Sequence, residues 1–167
     1  MTVAVHATII RASAERLFRV YEDPHNITAV TGVPVRVLRV ELPVRTGSLQ
    51  SFAIGPPWLR MHWEAAIAQY TPPLLLVDVQ KRGPFQRFRH AHCVVPLGGD
   101  RSAAIDVVDY EWRSGRVGKI VELVFIQPLI ALLLRDRHRR LARLLRQTAP
   151  SRARSGKARC HPEEVAP

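Results

Sequence analysis

Asp78-Val79-Gln80-Lys81-Arg82-Gly83-Pro84-Phe85-Gln86-Arg87-Phe88-Arg89-His90-Ala91-His92 reads as the end of one strand, a Gly-Pro turn and a second strand with two histidines on one face. Gly83 and Pro84 supply the turn dihedrals, so no ligand is needed to explain them. A connection this short implies antiparallel neighbours, because parallel strands need a crossover of about a dozen residues. The same pattern repeats on both sides. Val35–Leu42, Gly47–Ile54, Leu59–Tyr70, Leu74–Gln80, Arg87–Val95 and Ala103–Glu111 read as extended, separated by Pro43, Gly55-Pro56-Pro57, Pro72-Pro73, Gly83-Pro84 and Gly98-Gly99-Asp100. With Thr2–Ile10, rich in Val, Ile and Thr, the sequence predicts seven strands in a curved meander.

Helices are expected at the two ends of this run. Ser13 is a good N-cap for a helix ending near Glu22, where Asp23-Pro24 stops it. Asn26–Val30 reads as a second short helix before Thr31-Gly32. Beyond Gly115 a long helix begins near Arg116 or Val117, apolar through Ile120–Leu134 and kinked by Pro128. The apolar part is about five residues short of the roughly 20 that span a bilayer, and Glu122, Gln127 and Pro128 interrupt it. A core helix covering the concave face of the sheet is the expectation.

The 167 residues are 47% hydrophobic and 23% charged, as expected of one globular domain with a core of its own. The expected domain covers 1–149, followed by a disordered basic tail over 150–167. The net charge of +11 is unevenly spread: residues 1–134 carry 15 basic and 11 acidic groups, residues 135–159 ten and one. Arg outnumbers Lys 22 to 3, and no aromatic groups interleave the basic run as a stacking surface for bases would require. That argues against nucleic acid and for a solvated helix end; the alternative is an interaction module whose basic C-terminal helix and tail dock on an anionic membrane or on nucleic acid. Cys93 and Cys160 are far apart and without partners at metal-ligand spacing, which fits a reducing compartment. No signal peptide is read at the N-terminus, and a cytoplasmic location is expected.

The order of elements resembles that of the START/SRPBCC superfamily, with its α+β helix-grip fold. Asp23-Pro24-His25-Asn26-Ile27 is similar to the segment after the first helix there, and Trp63-Glu64-Ala65-Ala66-Ile67 to the strand before the central signature. That signature, in a bacterial ligand-binding, polyketide cyclase-like group, runs Phe-x-Asp-x-Gln-x-x-Gly-Pro-Phe-x-x-Trp-x-His-x-His-x-Phe. This chain matches it from Leu76 to Val94, with Leu76, Phe88 and Val94 replacing Phe, Trp and Phe. Asp106-Val107-Val108-Asp109-Tyr110 resembles the strand that follows. The resemblance spans about residues 3–146. It implies a seven-stranded curved antiparallel sheet wrapped around the long C-terminal helix, with two short helices after strand 1. It also implies a small hydrophobic molecule bound between sheet and helix. The residues expected to wall that cavity are Trp63, Ile67, Gln80, Phe85, Phe88, Val94, Val108, Val121 and Phe125. Carrier proteins and cofactor-free cyclases or dehydratases share this fold, so the resemblance leaves enzyme and carrier both open.

Strand residues two apart share a face. Asp78 and Gln80 fall together, as do His90 and His92, and Asp106 and Tyr110. If the faces align, Asp78, His90, His92, Asp106 and Tyr110 are a candidate acid–base set for cyclisation, dehydration or enolisation. A satisfied polar network that fixes strand register, or a set of groups that orient a ligand, would use the same residues. The histidines could also lie on the outer face. His-X-His beside a carboxylate can ligate a metal, but that pattern alone is weak, so no metal site and no cofactor are assigned.

Overall fold

Burial alternates residue by residue along the first strand, β1 (Thr2–Ile10), the sign of an extended segment with one face covered. The computed structural model describes residues 1–113 and 115–148; the predicted tail lies outside them. Ser13 then caps α1 (Ala14–Glu22), its hydroxyl accepting the Arg16 N–H at 3.3 Å, and Asp23 ends the helix. Leu17, Phe18 and Tyr21 of α1 are buried. A 3-10 turn (Pro24–Asn26) leads into α2 (Ile27–Val30).

Six strands follow: β2 (Val35–Val40), β3 (Leu49–Ile54), β4 (Met61–Thr71), β5 (Leu75–Arg82), β6 (Arg87–Pro96) and β7 (Ser102–Glu111), each within two residues of its predicted ends. All pair antiparallel in the order β1-β7-β6-β5-β4-β3-β2, so the chain's first strand closes against its last. β5 is the middle of the sheet. Bulges interrupt β4 against β5 at Glu64/Ala65 and Ile67/Gln69, which bends the sheet around its concave side. At the β3–β4 connection Gly55 has φ +106°, and a Cβ there would lie 2.4 Å from the Leu59 carbonyl oxygen, so only glycine fits.

The C-terminal helix runs from Arg116 to Gln147 in three pieces: α3 (Arg116–Val121), a π turn (Glu122–Ile126) and α4 (Gln127–Gln147). Pro128 cannot donate to the carbonyl four residues back, and its ring crowds that position; the wider π turn just before it accommodates the mismatch. The irregularity thus falls one turn ahead of the expected kink.

Only the second half of this helix is a core helix. Leu141 and Leu145 are buried with Leu17, Phe18, Tyr21, Ile67, Leu76 and Val94, and Ile130 and Leu134 pack on Val108 and Tyr110. Arg16 also donates to the Leu145 carbonyl at 3.0 Å, tying α1 to the helix end. The first half is bare: Val117, Ile120, Leu123, Val124 and Phe125 are all exposed, Leu123 by 67% and Phe125 by 65%. The expectation of a core helix over Ile120–Leu134 is corrected for its first part: Ile120–Phe125 is largely exposed, and burial begins at Ile130. By length and composition this helix could cross a membrane, but its second half is held in the core.

Candidate functional site

Pairing across β5, β6 and β7 fixes the faces that the sequence left open. Asp78 lies opposite His90, Leu76 opposite His92, His92 opposite Asp106, and Phe88 opposite Tyr110. These residues share the concave face. Between that face and α4 lies a cavity of about 460 Å³. Trp63, Phe85, Phe88, Val108, Asp78, His90 and His92 line it. So do Ile126, Leu129, Ile130, Leu133 and Leu134 from the C-terminal helix, and Ile27 and Val30 from α2.

The other expected wall residues lie elsewhere. Neither Val121 nor Phe125 lines the cavity, and Phe125 faces out. Ile67 and Val94 are on the right face but further along their strands, where they pack under α1. Gln80 holds the β5–β6 turn instead: its Nε2 donates to the Phe85 carbonyl at 2.7 Å and its Oε1 accepts the Phe85 N–H at 3.4 Å. Tyr110 is fully buried behind Phe85, the rings 5.7 Å apart, and Asp106 is fully buried behind the histidines.

One end of the cavity is aromatic. Trp63 and Phe88 meet edge to face at 4.8 Å, and Phe85 packs on Phe88 and Trp112 at 5.1 and 5.2 Å. The inner wall is polar and built on Asp106. His92 Nδ1–H donates to Asp106 Oδ1 at 2.8 Å, while its Nε2 lies 3.3 Å from Asp78 Oδ2. The second Asp106 oxygen is approached by Arg137 Nε and His138 Nε2, both at 3.2 Å, and by His90 Nε2 at 3.6 Å. Tyr21 stacks on His92 at 4.8 Å, and the Arg137 guanidinium lies over the Tyr21 ring.

Burial alone would raise the Asp106 pKa, but the charges of His92 and His90 and the donors around it hold it well below the carboxylate range. Asp78 is likewise lowered: burial opposes ionisation, and the His92 hydrogen bond and the two imidazoles outweigh it. His90 is lowered by burial and by the neighbouring His92, which favours the neutral ring. His92 is raised: burial works against the cation, and Asp106 overcomes it. Two imidazoles shifted in opposite directions at a cavity wall can between them accept and donate a proton.

Arg137, His138 and Tyr21 were not read as site residues from the sequence. Arg137 and His138 fall in Arg135-Asp136-Arg137-His138-Arg139-Arg140, which looks like a solvated end. Yet His138 is four residues from Leu134 and three from Leu141, on the buried stripe. That spacing was the available signal.

A curved sheet gripping a C-terminal helix, with a cavity between them, defines a helix-grip domain. Solved structures share this fold and align over nearly the whole described chain. A START superfamily protein from Mycobacterium smegmatis matches with TM-score 0.65 at 15% identity, over 87% of this chain and 97% of that one. Norcoclaurine synthase from Thalictrum flavum, in complex with dopamine and hydroxybenzaldehyde, matches with TM-score 0.67 at 16% identity, over 89% and 88%. Zhui aromatase/cyclase from a Streptomyces species matches with TM-score 0.61 at 13% identity, over 86% and 95%. No protein-family model and no curated protein matches the sequence.

Proposed function

We propose that the protein binds a small, mainly apolar molecule between sheet and C-terminal helix, with a polar group of that molecule set against Asp78, His90 and His92. The observation that carries this reading is the cavity of about 460 Å³ whose apolar walls converge on one polar cluster. The aromatic end suits a ring or an unsaturated chain. A carbonyl or hydroxyl at the inner wall would meet the imidazoles of His90 and His92 and the Asp78 carboxylate. A carrier would use that wall for orientation, and a cyclase or dehydratase would use it for proton transfer. Two of the similar structures, a synthase bound to aromatic molecules and an aromatase/cyclase, support the second use.

Native mass spectrometry of the purified chain is expected to find an apolar molecule that a solvent-sensitive dye then displaces or replaces. If the purified chain holds no bound molecule and also takes up no dye saturably, the proposal is overturned.

The bare half of the C-terminal helix favours one second reading, docking on an anionic membrane. Val117, Ile120, Leu123 and Phe125 are exposed beside Arg116 and Lys119, and Trp58 is 84% exposed on the loop between β3 and β4. Ile54 and Met61, at the two ends of that loop, line the cavity, so the apolar groups border its mouth. The chain is expected to float with phosphatidylglycerol vesicles, and Leu123→Glu with Phe125→Glu to lose that binding without loss of stability. Equal binding by the double variant, or none by the wild type, would dismiss this reading.

A further inference from the structure

We propose that Asp78, His90 and His92 form a site for a divalent transition-metal ion of the zinc class at the inner wall of the cavity. Each residue offers one ligand atom, and these atoms lie within 4.8 Å of one another. The inference goes beyond ligand binding and stands on this cluster alone, whatever else fills the cavity.

The pair at its centre already has the spacing of two ligands on one ion. His92 Nε2 and Asp78 Oδ2 are 3.3 Å apart. Ligand atoms at about 2.0–2.1 Å from a tetrahedral ion are roughly 3.3 Å from each other. His90 stands directly across from Asp78 in the register, with its ring 3.9 Å from that of His92, and closes the set by a side-chain rotation.

The shell behind the ligands points the same way. His92 gives its Nδ1–H to Asp106, which leaves Nε2, on the cavity side, as the ring's ligating atom. Metal-bound histidines almost always have such a carboxylate or carbonyl partner on the far nitrogen, which fixes the tautomer and the ring plane. Asp106 is itself held in place by Arg137 and His138, and Arg137 pairs with Asp106 rather than with the ligand Asp78. Buried polar groups without aligned hydrogen bonds gather at the same place: His90 Nε2, Asp106 Oδ2 and Arg137 Nε, among the described residues.

Two imidazoles and one carboxylate suit zinc, cobalt or iron(II) better than calcium or magnesium, which favour all-oxygen shells. Three protein ligands leave at least one coordination position free, and in this site it faces the cavity, where an oxygen of a bound molecule could take it.

The test is titration of the chelator-treated full-length chain with cobalt(II) and zinc(II). One ion per chain is expected, with visible d–d absorption of the four- or five-coordinate cobalt form, and zinc should displace it. Asp78→Asn and His90→Gln, checked for folding by circular dichroism, should each weaken binding by at least about 100-fold. Exchanging residues outside the cluster, as in His62→Gln or Cys160→Ser with His161→Gln, should change nothing. Absence of saturable cobalt binding by the wild type overturns the proposal without reference to any variant. So does binding that survives both cluster substitutions.

Discussion

Asp106→Ala is expected to lower the free energy of unfolding by about 3–5 kcal/mol, the usual cost of removing one partner from a buried ionic network. The carboxylate is fully buried and stands against His90 and His92 from β6 and Arg137 and His138 from α4. Without it the Arg137 guanidinium, and His92 whenever it carries a proton, face each other in the interior with one anion fewer. Asp106→Asn keeps the volume and should lose a smaller share, since the amide can still accept one hydrogen bond. Urea unfolding followed by tryptophan fluorescence measures both. A loss below about 1 kcal/mol for alanine would show that the network does not hold β7 to the C-terminal helix.

Ala65→Trp should abolish uptake of apolar probes, weakening binding by at least about 100-fold, or roughly 2.7 kcal/mol. Ala65 is buried on β4 and lines the cavity beside Trp63. An indole built from that Cβ fills the space between sheet and helix. Because the space is there, the overpacking cost of about 1–3 kcal/mol seen in filled cores should be largely avoided. Leu38→Trp, on the exposed part of edge strand β2, is the control and should leave uptake unchanged. Unaltered uptake by Ala65→Trp would place the ligand somewhere other than this cavity.

The seven strands were legible because proline and glycine mark nearly every turn, and their dihedral demands do not depend on tertiary context. The polar cluster was legible as three alternating pairs, but the face it occupies was not. Both faces of β5 and β7 are apolar, and only the pairing of Asp78 with His90 and of His92 with Asp106 decides between them. Alternation also cannot say how far along a strand the cavity reaches. Ile67 and Val94 are on the cavity's face yet belong to the layer under α1. Val121 and Phe125 were misplaced for a different reason. An apolar run that circles the helix carries no stripe to orient it, and the sheet ends before it can cover the first half. Arg137 and His138 were hidden by arginine-rich surroundings, although His138 keeps the spacing of the buried stripe.

The pairing of β1 with β7 joins segments about a hundred residues apart along the chain, a closure that is slow for any sheet built this way. During synthesis the meander from β2 to β6 can assemble while β1 waits. His90 and His92 are then in place before Asp106, which arrives with β7, and before Arg137 and His138, which arrive last. The polar wall is therefore the final thing the chain completes. A nascent chain that has emerged only through β6 would hold its histidines set beside Asp78, with the buried carboxylate of Asp106 still to come.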